Sequence, residues 1–251
     1  MFEVLVKDSD SVRTLTLNRP IKRNALNDEL IAGLKHALTD TASDESIRAI
    51  IIRGAGSDFC SGADLASLQK IADSSYEENL EEAKKLADLF IQIRQTPTPV
   101  IAAVHGRALA GGAGLATACD IVLATRSARF GYPEVRIGFV PAMVMAILRR
   151  NLGEKKAFEL STLGFEFGAE QALEFGLINR VFDDKEFDAG VDQFAQQYSK
   201  VSQSSVRLTK QLLYKMDGLN FEDAILAGAE TNAEARMTED CKEGIANFLN
   251  K

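Results

Sequence analysis

The chain has 251 residues, 46% of them hydrophobic, with five prolines and no low-complexity tract, which suits one sizeable globular domain or a domain with a small appendage. Its 29 Lys and Arg stand against 36 Asp and Glu, and the net charge of −7 argues against general nucleic-acid binding, although a local basic patch could survive within it. Cys60, Cys119 and Cys241 match no zinc spacing and read as reduced thiols of a cytoplasmic protein, and residues 1–4 lead into strand-like alternation rather than a signal segment.

Residues 2–7 and 12–17 predict paired strands around a turn at 8–11. Leu26, Leu30, Ile31, Leu34, Ala37 and Leu38 have helical spacing, with Asn27 or Asp28 at the start. A strand is expected at 47–53, closed by Gly54-Ala55-Gly56, and the polar, mixed residues 66–77 read as a mobile covering segment. Residues 79–95 predict an amphipathic helix stopped before Pro97 and Pro99. Residues 100–124 are long enough to span a bilayer, but His105, Arg107, Asp120 and several glycines interrupt them, so they read as strand, turn, helix and strand inside a core. Beyond them come a short strand at 129–130, helices over 141–150, 154–162 and 169–175, and a strand at 178–182. From 187 onward the pattern is helical, broken near 202–205 and 218–220, which suggests an α/β core over 1–195 and a helical region over 196–251.

Two turns carry candidate chemistry. After the strand at 100–104, Ala110-Gly111-Gly112-Ala113-Gly114 opens a helix of small residues. Such a start leaves backbone N–H groups unpaired, with the positive end of the helix dipole behind them, and suits an anion or a developing oxyanion. Cys60-Ser61-Gly62-Ala63-Asp64-Leu65 is a second small-residue turn following a strand-like run. Two such turns can each aim one N–H at a single carbonyl oxygen.

Glu134 follows a proline turn among Phe130, Tyr132, Val135, Ile137 and Phe139. Apolar walls would raise its pKa and suit it to moving protons. A Glu after a turn also serves as a cap or an ion-pair partner, and Arg136 is available for the latter. His105 reads as a satisfied core histidine, Asp120 as a backbone hydrogen-bonder, and Tyr132 as a packing residue or one that orients substrate or water.

Asn18-Arg19-Pro20 with Arg23-Asn24-Ala25-Leu26, Ser61-Gly62-Ala63-Asp64-Leu65, Ile101-Ala102-Ala103-Val104-His105-Gly106, Ala118-Cys119-Asp120-Ile121 and Pro133-Glu134-Val135 resemble the enoyl-CoA hydratase/isomerase (crotonase) superfamily. So do Gly176-Leu177-Ile178-Asn179-Arg180-Val181 and the stretch from Thr238 to Phe248, in the family's order across nearly the whole chain. The resemblance implies a spiral of ββα units with a helical C-terminal region that forms homotrimers, often paired into hexamers. It implies an acyl-CoA thioester substrate, no cofactor beyond the coenzyme A of that substrate, and no nucleic-acid or membrane partner.

By the same resemblance, the N–H groups of Ala63 and Gly111 match the oxyanion hole and Glu134 matches the acid/base glutamate. Lys22, Arg23, Ala25 and Leu26, with Ser61, Gly62, Ala63, Asp64, Leu65 and Ala66, match the path of the CoA nucleotide and pantetheine. Phe248 and Lys251 match positions near the adenine phosphate, in some members from a neighbouring subunit. Where two-acid hydratases carry a second glutamate this chain has Gly114, and residues 142–148 replace a Gly-rich run with a more apolar one. That combination resembles the bacterial methylglutaconyl-CoA hydratase-like branch; hydration and Δ3,Δ2-isomerisation both remain open, with a non-catalytic acyl-CoA-binding scaffold, which Gly114 alone favours, as a third reading.

Overall fold

The computed structural model describes residues 2–64, 67, 69, 71 and 73–250. Strands β1 (Val4–Ser9) and β2 (Val12–Leu17) pair antiparallel. To β2 are added, all in parallel, β3 (Ala49–Gly54), β4 (Val100–Val104), β6 (Ile121–Thr125) and β9 (Arg180–Phe182). The resulting six-stranded sheet has the order β1-β2-β3-β4-β6-β9. Its inner strands are apolar on both faces because both are covered. Ile50, Ile52, Val100 and Ala102 join the main core, whereas Ile51, Ile101, Ala103 and Leu123 pack with Phe187 and Val191 of a smaller one.

A second sheet joins β5 (Arg107–Leu109), β7 (Arg129–Gly131) and β8 (Glu166–Gly168), with β7 central. Cys60 bridges to Ala108 at its edge. The chain runs from the large sheet to the small one and then into a helix, most clearly in β4, β5 and α3 (Gly111–Ala118). This is the expected spiral of ββα units. The apolar stretch at 100–124 is strand, strand, helix and strand: β5 occupies what reads in sequence as a plain turn.

Helix α1 (Asp28–Ala42) is capped by Asn27, whose side chain accepts from Leu30 N at 3.0 Å. Helix α2 (Tyr76–Gln95) begins three residues before its apolar pattern, because Ser75 and Glu78 form a capping box. The expected covering segment at 66–77 lies partly outside the described residues. After the 3-10 turn Pro133–Ile137 come α4 (Ala142–Asn151), α5 (Glu154–Leu163), α6 (Ala169–Glu174) and α7 (Phe187–Ala195). Helices α8 (Gln203–Lys215), α9 (Phe221–Met237) and α10 (Glu239–Leu249) complete the chain. Among the described residues no helix is long and apolar enough to cross a membrane.

A buried polar knot ties α8 to the spiral. Lys210 Nζ donates to Asp120 Oδ2 at 2.7 Å, to Ile93 O at 3.0 Å and to Thr98 O at 3.2 Å. Asp120 also accepts from Val100 N at 2.7 Å, as the sequence suggests, and from Tyr214 Oη at 2.6 Å. Burial pushes the Lys210 ammonium below its usual range, against the opposing pull of Asp120. Beyond this knot, α9 and α10 leave Phe221, Ile225, Leu226, Ile245, Phe248 and Leu249 exposed.

Candidate active site

The two small-residue turns abut. Leu26 N donates to Gly62 O at 2.7 Å and Asp64 N donates to Leu26 O at 3.0 Å, a parallel bridge between Leu26 and Ala63. This alternation turns the Ala63 N–H away from Leu26. On the other side Cys60 N donates to Arg107 O and Leu109 N to Cys60 O, both at 3.0 Å. Ala110 is held by its N–H on Gly131 O at 2.9 Å, with φ +49° and ψ −124°. A side chain rarely adopts that conformation, so the backbone is strained just where it swings the Gly111 N–H out at the start of α3. Neither the Ala63 nor the Gly111 N–H has an acceptor among the described residues.

Close approach depends on two glycines. Gly62 has φ +98°, and a Cβ there would lie 3.0 Å from Ala110 Cβ and 3.7 Å from Gly111 N. A Cβ on Gly112 would come within 2.2 Å of Cys60 O. Beside the Gly111 N–H stand Leu26 and Leu86, whose methyls would lie 3.3 and 3.6 Å from a Cβ at that position. The Gly111 end of the site is therefore walled by aliphatic groups, where a hydrogen bond to developing charge is stronger than in open water.

Glu134 lies in the 3-10 turn Pro133–Ile137, is 9% exposed, and has Oε2 without a protein partner. Burial raises its carboxyl above the ordinary range, opposed only by its own backbone N–H. No ion pair with Arg136 offsets this. The expected walls hold in part: Phe130 and Tyr132 are fully buried, but Ile137 is 70% and Phe139 44% exposed. Ile137 is the last residue of the turn and Phe139 lies past Gly138, whose φ of +77° ends it.

Gly114 borders no void. A Cβ there would lie 2.8 Å from Val144 Cγ2 and 3.0 Å from Phe90 Cζ. Phe90 comes from α2 and Val144 from α4, so two distant segments close the position with hydrocarbon. Val144, rather than Met143 or Met145, is the member of the apolar 142–148 run that reaches it. Nothing in the local sequence around Gly114 announces either residue.

Lys22, Arg23, Ala25 and Leu26 are joined to Ser61, Gly62, Ala63 and Asp64 by the Leu26–Ala63 bridge and by Ser61 N donating to Arg23 O at 3.0 Å. Lys22 and Arg23 are exposed, and Arg23 and Asn24 both adopt positive φ. Asn24, buried and unforeseen, locks the loop: its Nδ2 donates to Ala55 O and Asp58 O, both at 2.8 Å, and its Oδ1 accepts from Arg19 N at 2.9 Å. Asp64 is buried and ion-paired with Arg19 at 2.8 Å. Phe248 is 78% exposed on α10, which packs against α8 and α9. Leu65, Ala66 and Lys251 lie outside the described residues. His105 is half-buried, with Nε2 3.0 Å from Gly56 O. Among the described residues no three metal-ligating side chains converge.

Residues 7–251 match the family model described as enoyl-CoA hydratase/isomerase. The "Putative enoyl-CoA hydratase" of Thermus thermophilus is 41% identical over 240 residues, covering 96% of this chain and 95% of that one. The 2,3-dehydroadipyl-CoA hydratase of Escherichia coli is 33% identical over 252 residues, covering 100% and 97%. A solved enoyl-CoA hydratase from Mycobacterium smegmatis superposes with a TM-score of 0.94 at 34% identity, covering 99% of this chain and 96% of that one. On fold, length and sequence together, the chain belongs to the enoyl-CoA hydratase/isomerase family.

Proposed function

We propose that the protein is an enoyl-CoA hydratase that adds water across the 2,3 double bond of an enoyl-CoA thioester. The observation that carries this reading is the pair of N–H groups, Ala63 and Gly111, offered by two abutting turns without acceptors among the described residues. When water adds to C3, negative charge gathers on the thioester oxygen, and the two donors stabilise it without reorganising. One such donor is worth roughly 3–4 kcal/mol of barrier in an enzyme. Glu134 takes a proton from the attacking water as its oxygen bonds to C3, and returns one to C2. Its raised pKa brings it nearer the operating pH than an ordinary carboxylate, which suits both transfers.

Lys22, Arg23, Ala25 and Leu26, with Ser61–Ala66, line the path of the CoA moiety in this reading, the exposed cations of Lys22 and Arg23 meeting phosphate. Phe248 and Lys251 meet the adenine end, from this chain or a neighbour. Residues 1–195 hold the site, and the helices of 196–251, whose exposed apolar side chains need cover, assemble a trimer or hexamer. The protein works in the cytoplasm with its thiols reduced.

One observation favours a second reading, Δ3,Δ2-enoyl-CoA isomerisation: Phe90 and Val144 close the Gly114 position, and proton movement from C2 to C4 needs a single acid. Crotonyl-CoA and 3-hexenoyl-CoA separate the two. Loss of conjugated enoyl absorbance with the first supports hydration, its appearance with the second supports isomerisation, and no change with either defeats both.

A further inference from the structure

Tyr132 is fully buried, yet its hydroxyl has no protein partner of normal hydrogen-bond geometry. Buried hydroxyls without partners are uncommon, because each forfeits its bonds to water. Phe167 packs against its ring, with centroids 6.4 Å apart. The polar neighbour of the hydroxyl is Thr117, one turn beyond Gly114 on α3, whose Oγ1 gives its one hydrogen to Ala113 O at 2.8 Å, with Gly114 O at 3.4 Å, and so faces the phenol only as an acceptor. A second unpartnered buried oxygen, Glu134 Oε2, belongs to the residue just across Pro133. Two orphaned polar atoms thus belong to residues that flank one proline.

We infer that the Tyr132 hydroxyl is a positioning group for Glu134, joined to Oε2 through one shared buried water. Each orphaned atom then gains a partner, and a water with two or more polar contacts is a normal occupant of such a place. Tyr132 fixes the carboxyl rotamer and supplies a neutral O–H to it through that water. Burial and the Glu134 charge both push the Tyr132 phenol upward, so it stays protonated and exchanges no proton with substrate. Glu154, Lys155, Lys156 and Glu159 lie on α5, which packs against the Glu134 turn, and Arg136 lies on the turn itself; none of them contributes to the displacement of the Glu134 carboxyl.

This inference rests on Glu134 being the acid/base, and two variants keep the two ideas apart. Glu134→Gln tests the underlying assignment, and retained turnover overturns both. Tyr132→Phe removes one oxygen and keeps the ring packing, so it should fold with a melting temperature close to that of the parent. Donation toward the ionised carboxylate favours its charged form, so loss of the hydroxyl should raise the apparent pKa of the acidic limb of kcat/KM by about half to one pH unit. We expect kcat to fall about tenfold with KM within about twofold. An unshifted acidic limb and parental kcat in a folded Tyr132→Phe protein, with Glu134→Gln inactive, overturns the role of Tyr132 and leaves that of Glu134 standing.

Discussion

The ring of Phe90 fills the space that a side chain on Gly114 would need: a Cβ there would lie 3.0 Å from Cζ of the ring and 2.8 Å from Val144 Cγ2. The absent carboxylate is therefore a repacked position rather than a gap awaiting one. Phe90 is anchored near the C-terminal end of α2, so its ring cannot withdraw without disturbing the contact between α2 and α3.

Gly114→Glu should accordingly lose stability, by about 1–3 kcal/mol for overpacking, with a further penalty for a buried charge. Hydration should not increase. The double variant Gly114→Glu/Phe90→Ala has room for the new side chain, and should recover more hydratase activity than Gly114→Glu alone. Denaturant melts and crotonyl-CoA turnover check both statements.

Glu134→Gln should lower turnover by about 10²–10⁴-fold while acyl-CoA affinity is kept. The same change should raise stability at neutral pH. Because burial lifts the folded-state pKa of Glu134, its favourable contribution is complete below the unfolded value of about 4.3 and is lost as pH rises through the folded value. Glutamine avoids that loss. Melting temperatures measured from pH 4 to 7 should diverge with rising pH, the variant melting higher at pH 7.

Gly112→Ala places a methyl where Cys60 O already stands, and neither partner can swing aside because both are main chain. The turns must separate, which costs stability and moves at least one of the Ala63 and Gly111 donors. We expect kcat/KM to drop by at least about 10²-fold, the usual scale for loss of one such donor. Ala113→Gly, a neighbouring change that adds no bulk, serves as the control for helix propensity.

The spiral is legible where patterns are long. The apolar run of β4, the Gly-rich start of α3 and the spacing in α1 each declare themselves. Strands β5 and β8 do not: β5 follows the Gly106 turn directly and β8 lies in the short link between two helices, so neither stands out from its surroundings. The two turns and Glu134 can be picked out from residue types alone, but Phe90, Val144 and Asn24 act through contacts across sequence distance. Ile137 and Phe139 mislead for a local reason: proximity in sequence suggests a wall, but they stand at and beyond the end of the turn, where they are exposed.

Lys210→Met should be destabilising, by up to about 3–5 kcal/mol, because it leaves the partly buried Asp120 charge without its ammonium. Asp120→Asn added to that background should cost much less than it does alone, since the two groups act as one unit. Urea titrations of the single and double variants give the coupling directly.

Cys60 is a free, fully buried thiol, pushed up to about 12 by its surroundings, and it sits in the strand edge whose carbonyl touches Gly112. Only thiolate reacts with alkylating reagents, so this sulfur is silent until the edge peels open. Its rate of capture by iodoacetamide is thus a built-in clock for breathing of the fold at the Gly111–Gly112 step, readable without attaching any probe.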